Sequence, residues 1–242
     1  MPDSIAQYID HAVLHPTQTD EDLQEACRLC DDVGAASVCV KPYMVRKAAQ
    51  LLEGSTVKVS TVISFPHGAC ETAVKVAEAH EACKAGAVEL DMVANLGKVF
   101  AGDWDGVRED IAATVAAAKQ NGAIVKVIFE TGLLADDEQK KQLCRCCEDA
   151  GAAFVKTSTG FGFVKQSDGT MKSTGATFED IALMRASCSE RVGVKASGGI
   201  RSLDVARKFV ELGATRLGTS STQALVDEER GLASSASDPS TY

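Results

Sequence analysis

Gly151-Ala152-Ala153-Phe154-Val155-Lys156-Thr157-Ser158-Thr159-Gly160 holds the grammar of the whole chain in ten residues. It opens with a glycine just past a helical pattern, where a left-handed C-cap is expected. A short apolar run follows, which reads as a buried strand. The run ends in a lysine, three hydroxyl residues and a second glycine. The same phrase returns at Gly193-Val194-Lys195-Ala196-Ser197-Gly198-Gly199. The glycine-then-strand junction also recurs at Gly34-Ala35, Gly86-Ala87 and Gly213-Ala214.

Working outward, eight strands are predicted: Tyr8–Leu14, Ser37–Val40, Val57–Ser64, Val88–Val93, Ile124–Phe129, Ala153–Thr157, Val192–Ala196 and Thr215–Leu217. Helical patterns fall between them, at Asp20–Val33, Tyr43–Leu52, Ala69–Ala85, Asp103–Asn121, Asp136–Ala150, Thr177–Ser189, Ser202–Leu212 and Ser220–Glu228. Strand–helix units of about thirty residues imply parallel strands joined by right-handed crossovers. Eight of them point to α/β class, a single (β/α)8 barrel over residues 1–230. The alternative is an open doubly wound sheet. That fold would carry a glycine-rich turn after its first strand, where His15-Pro16-Thr17 stands instead. Residues 231–242 are small and polar and read as a disordered tail.

The 242 residues carry a net charge of −9 with no basic block, which argues against nucleic acid or an anionic membrane as partner. No apolar run is long enough for a transmembrane helix, and the N-terminus does not read as a secretory signal. The nine cysteines are odd in number and lie largely in helical patterns, as expected of free thiols in a reducing cytoplasm. Cys27 and Cys30 have no second pair with a histidine partner, so no metal site is expected. His11 and His15 fall on a strand and the loop after it and read as structural or rim residues.

A lysine near the end of a buried strand is costly to keep charged. Two close together lower each other's pKa, and a neutral amine is what Schiff-base chemistry requires. In a barrel, Lys156 and Lys195 fall near the C-terminal ends of neighbouring strands, where active sites lie. Asp91 ends the fourth strand and Asp10 lies in the first. By strand parity Glu89 and Lys126 also point inward, one layer deeper, and read as an internal ion pair. The Gly198-Gly199 turn and the Gly218-Thr219-Ser220-Ser221 turn follow the last two strands, the usual phosphate position in barrels. Cys39, ending the second strand, is placed near the site mouth or as an apolar filler.

These residues, together with Thr61-Val62-Ile63-Ser64-Phe65-Pro66, Glu89 to Val93, Val125 to Thr131 and Arg216 to Ser220, make the chain resemble the deoxyribose-phosphate aldolases, class I aldolases with a barrel fold. The resemblance runs from Ile9 to about Ser221. It implies reversible cleavage of 2-deoxy-D-ribose 5-phosphate to acetaldehyde and D-glyceraldehyde 3-phosphate, within deoxyribonucleotide catabolism. It places the Schiff-base lysine at Lys156, the second lysine at Lys195, the proton-relay aspartate at Asp91 and a lysine-anchoring aspartate at Asp10. Gly160 joins the phosphate turns. No cofactor is implied, and the partners are aldehyde and sugar-phosphate substrates, with a homodimer among the assemblies left open. Similar aldolases can end in a tyrosine that assists proton transfer, a place that Tyr242 would fill. Two features depart from the family. Gly162–Ser173 lengthens the loop after the sixth strand, and Phe161 stands where some relatives have lysine. A barrel phosphosugar lyase or isomerase without an imine, and a non-catalytic sugar-phosphate binder, are the competing readings.

Overall fold

Hydrogen bonding joins the first strand to both the second and the last, so the sheet closes and an open doubly wound arrangement is excluded. The computed structural model describes residues 4–165 and 168–232. In chain order the strands are β1 (Ile9–Val13), β2 (Ser37–Val40), β3 (Lys58–Ile63), β4 (Glu89–Val93), β5 (Ile124–Ile128) and β6 (Phe154–Lys156). A separate hairpin follows, β7 (Phe163–Lys165) and β8 (Met171–Ser173), and then β9 (Gly193–Ser197) and β10 (Arg216–Thr219). Around the barrel the order is β1-β2-β3-β4-β5-β6-β9-β10, every pair parallel.

The helices are α1 (Asp20–Val33), α2 (Val45–Leu51), α3 (Thr72–Ala85), α4 (Leu96–Ala101), α5 (Trp104–Gln120), α6 (Asp137–Asp149), α7 (Phe178–Ser187), α8 (Leu203–Glu211) and α9 (Thr222–Glu229). Their ends follow local chemistry. Thr19 caps α1 through the Glu21 N–H at 3.2 Å, and Asp22 reaches back to the Thr19 N–H at 2.5 Å, a capping box. At the other end Gly34 takes φ 68°, and Gly86 closes α3 at φ 115°, conformations that glycine adopts without Cβ strain.

Two elements depart from the sequence reading. The six-residue α4 is too short to show a helical period. The β7–β8 hairpin lies in the stretch expected as a plain loop, and its three-residue strands, largely exposed, show no apolar alternation. Tyr8 belongs to a 3-10 turn over Ile5–Tyr8, not to β1. Most of the expected tail, residues 233–242 with Tyr242, lies outside the described residues.

Strand alternation divides the protein into two interiors. Val38, Val40, Leu90, Met92, Val127, Val155, Val194 and Leu217 are all 0% exposed and join the helices' apolar faces in one core. Each such side chain contributes about 1.5–3 kcal/mol on burial. This outer layer holds the barrel shut around a lumen that is charged. Cys27 and Cys30 on α1, and Cys144 and Cys147 on α6, are buried in the same apolar layer. All nine cysteines are free thiols. Among the described residues no helix is long and apolar enough to cross a membrane.

Candidate active site

The opposite strand face fills the lumen with four cations and three carboxylates. Adjacent strands bring them level: Asp91 pairs in register with Lys126, Lys156 with Lys195, and Lys195 with Arg216. Lys156 Nζ donates to Asp91 Oδ2 at 2.7 Å. Lys195 Nζ donates to the same oxygen at 2.7 Å and to Asp10 Oδ2 at 2.5 Å. Lys126 Nζ lies 2.6 Å from Glu89, 2.8 Å from Asp10 and 3.0 Å from Asp91 Oδ1. The expected Glu89–Lys126 pair is therefore present, as part of a larger network.

Arg216 completes that network, at 2.5 Å from Asp10 and 2.9 Å from Glu89, and its guanidinium stacks on the Phe154 ring at 5.4 Å. The sequence reading missed its role. The available signal was parity, since a charged residue two positions before Gly218 in the last strand must face the lumen. Ser37 Oγ also donates to Asp10 Oδ1 at 2.6 Å, so Asp10 is gripped from several strands at once.

With every group ionised the lumen would hold one more positive charge than negative, and burial and neighbouring charges bear unequally on its lysines. Burial pushes the Lys156 ammonium below the ordinary lysine value, and the Lys195 charge adds to that push against the pull of Asp91. Burial also opposes the charge on Lys195, but Asp10 and Asp91 outweigh it and hold that amine above the ordinary value. Lys126 is held up in the same way by Asp10, Asp91 and Glu89. Burial resists the ionised forms of Asp10 and Asp91 too, yet the surrounding cations hold both well below the ordinary carboxylate value. The expectation that the two lysines depress each other is thus corrected. Only Lys156 is depressed, because Lys195 touches two carboxylates and Lys156 one.

Asp91 is asymmetric as well. Its Oδ2 accepts from two lysines, while Oδ1, though 3.0 Å from Lys126 Nζ, has no hydrogen bond of acceptable alignment. A buried carboxylate oxygen with spare accepting capacity next to a depressed amine is suited to moving a proton.

Cys39 is 2% exposed and sits within the field of Asp91 and all three lumen lysines, so it lies inside the barrel and not at an open mouth. Burial, with Asp91 behind it, pushes its thiol up, the wrong direction for a reactive nucleophile. His11 faces the helices, Nδ1 to Thr222 Oγ1 at 2.8 Å.

The expected phosphate residues separate into turns and strand. Gly160, Gly198 and Gly199 lie in turns beyond β6 and β9 at φ 85°, 89° and 77°. Ser220 and Ser221 form the turn before α9. Gly218 is corrected: it belongs to β10, where a Cβ would stand 3.2 Å from Lys195 Cε and 2.9 Å from Ser197 Cβ. It gives the Lys195 side chain room to cross the lumen. Above the cluster, the Phe65 and Phe161 rings meet edge to face with centroids 5.3 Å apart, joining the loops after β3 and β6. Among the described residues no group of three potential metal ligands is found.

Comparison with known proteins points to one family. The model of the DeoC/LacD family aldolase matches residues 4–233. A deoxyribose-phosphate aldolase of Carboxydothermus hydrogenoformans is 49% identical over 219 residues, 90% of this chain and 91% of that protein. Among solved structures, an aldolase called QR15 superposes with a TM-score of 0.86 at 38% identity, covering 96% of this chain and 97% of its own. The deoxyribose phosphate aldolase of Aeropyrum pernix, described as tetrameric, superposes with a TM-score of 0.84 at 34% identity, covering 95% of this chain and 92% of its own.

Proposed function

This chain belongs to the DeoC/LacD family of aldolases, and from that premise we propose that it reversibly cleaves 2-deoxy-D-ribose 5-phosphate with Lys156 as the imine-forming amine. The observation that carries the reading is the placement of the buried Lys156 amine, 2.7 Å from Asp91 Oδ2 and sharing that oxygen with Lys195, and it is supported by the downward push on Lys156 where Lys195 and Lys126 are held up. An ammonium destabilised in this way gives up its proton more readily than an ordinary lysine, and the neutral amine is the nucleophile that imine formation requires.

In the cleavage direction the Lys156 amine adds to C1 of the ring-opened sugar and loses water to form an imine. The protonated imine draws the electron pair of the C2–C3 bond as the C3 hydroxyl gives up its proton. D-Glyceraldehyde 3-phosphate leaves, and the enamine left on Lys156 takes a proton at C2. Water then hydrolyses the imine and releases acetaldehyde. Asp91 moves these protons through a water held on Oδ1, the oxygen that the lysines leave without a hydrogen bond. Lys195 stays an ammonium and keeps the lumen positive enough to hold Asp91 ionised. Asp10 anchors Lys195 and Lys126. The turns at Gly160, Gly198, Gly199, Ser220 and Ser221 receive the phosphate through backbone N–H groups, and Gly218 serves them from below by making way for Lys195. Cys39 fills the lumen wall. Tyr242 is assigned a supporting proton transfer at the enamine carbon.

The nine free thiols support a reducing cytoplasm as the place of work. A homodimer is the assembly we propose, and size-exclusion chromatography with light scattering tests it.

Borohydride reduction in the presence of acetaldehyde tests the chemistry, because only an imine becomes a fixed adduct. Mass spectrometry is expected to find the added two-carbon group on Lys156. Lys156→Arg keeps the charge, cannot form the imine, and is expected to lose several orders of magnitude in turnover. An adduct elsewhere, or near-normal turnover in that variant, would overturn the assignment. Turnover without any adduct would favour a barrel isomerase or lyase that does not use an imine, and binding without turnover a sugar-phosphate binder.

A further inference from the structure

Two residues past the end of β5 lies a buried carboxylate that the imine chemistry does not use. Glu130 is 3% exposed and holds a left-handed backbone at φ 53°. A side chain rarely adopts that conformation, and it persists only where the surroundings over-determine it. Here they do. The two carboxylate oxygens accept the Thr159 N–H at 3.3 and 3.2 Å, and one of them also accepts the Thr159 hydroxyl. Thr159 Oγ1 in turn accepts the Phe161 N–H at 2.9 Å. Gly162 passes so near that a Cβ on it would stand 2.5 Å from Glu130 Cδ. The neighbouring Thr131 N–H bonds Thr157 O at 3.0 Å.

The chain from Thr159 to Gly162 therefore meets this one carboxylate at both its ends. That segment starts three residues past Lys156 and contains Gly160. Burial raises the Glu130 carboxyl above its ordinary range, against its bonds from Thr159 and the charges of Lys156 and His67.

We propose that Glu130 is a positioning residue for the distal, phosphate-bearing end of the substrate: by holding Thr159 it sets the Gly160 turn, without touching the reacting atoms. The proposal rests on the reading of Lys156 as the imine amine and of the glycine turns as the phosphate site. It explains why the residue is an acid or amide in shape. Both the Thr159 N–H and its hydroxyl need an acceptor, and alanine would leave them buried without one.

The test compares the parent enzyme with Glu130→Ala, Glu130→Gln and Thr159→Val. Three measurements are made: borohydride trapping with acetaldehyde, which has no distal end; cleavage of 2-deoxyribose 5-phosphate; and cleavage of unphosphorylated 2-deoxyribose. In Glu130→Ala, KM for the phosphorylated sugar is expected to rise about tenfold, the size of a lost charge-assisted hydrogen bond. Its kcat, its trapping of acetaldehyde and its kcat/KM on the unphosphorylated sugar should stay near those of the parent. Glu130→Gln keeps an acceptor oxygen and should restore most of the lost KM, while Thr159→Val should reproduce the rise. An unchanged KM in both Glu130→Ala and Thr159→Val would overturn the proposal. So would an equal loss in all three measurements, the pattern of general damage; if Glu130→Ala does not fold, Glu130→Gln and Thr159→Val decide. Failure of the parent itself to trap acetaldehyde would overturn the imine reading, and the role of Glu130 with it.

Discussion

Lys195→Leu separates the two roles that a lumen lysine can have, reacting and tuning. Lys156 Nζ and Lys195 Nζ each lie 2.7 Å from the same oxygen, Asp91 Oδ2, so the two nitrogens stand no more than about 5.4 Å apart. At an effective dielectric of about 20, unit charges at that separation repel by about 3 kcal/mol, equivalent to about two pH units in a protonation equilibrium. Leucine removes that repulsion. It also leaves three cations facing three carboxylates, a balance that is met only when Lys156 is charged. Lys156 then takes up its proton more readily, and the neutral, nucleophilic form is reached at higher pH. The acidic limb of the kcat/KM profile for sugar cleavage should move upward by about two pH units. Below the limb the variant should be roughly a hundredfold slower than the parent, and above it the gap should close. The two amines titrate as a coupled pair, so the limb belongs to both. Acetaldehyde release measured across the pH range, with thermal unfolding to confirm an intact fold, provides the assay. An equal loss at every pH, with the limb unmoved, would refute the charge argument and place Lys195 in the bond-making steps.

Three further outcomes follow from other parts of the molecule. Lys75 is fully buried 2.6 Å from Asp110 and donates to the Val93 carbonyl at the end of β4, so Lys75→Met should cost about 3–5 kcal/mol in urea unfolding. Adding Asp110→Leu should return part of that loss, and simple additivity in the double-mutant cycle would show that the pair is not coupled. Burial holds the His11 imidazole down to about 4, below its unfolded value, so its contribution is full above about pH 6.5 and disappears as pH falls through the folded value. His11→Asn should therefore lessen the acid-side fall in stability by up to about 3 kcal/mol, and an unaltered slope would contradict the assignment. Tyr242→Phe should slow exchange of the acetaldehyde methyl protons while trapping at Lys156 continues; equal exchange rates would leave the residue without a catalytic part.

The barrel, and the lysine pair in it, were legible in the chain because they depend on local rules. Glycine after several of the helical patterns, a period that switches between helix and strand, and two copies of the apolar-lysine-hydroxyl phrase need no long-range knowledge. Parity alone placed Glu89 beside Lys126. The short elements were not legible, since the six residues of α4 and the three-residue strands of β7 and β8 are below the length at which a period can be read. Tertiary structure alone decided which lysine is depressed. That depends on the count of carboxylate contacts, one for Lys156 and two for Lys195, and the contacts come from strands β1 and β4, far away in sequence. It also decided that Arg216 shares Asp10 with the lysines, that Gly218 makes room for Lys195 Cε, and that Glu130 holds the turn at Thr159. Sequence fixes which groups are available and which face of a strand they occupy. Their charge states come from distances across a closed lumen, and those distances exist only once the eighth strand has met the first.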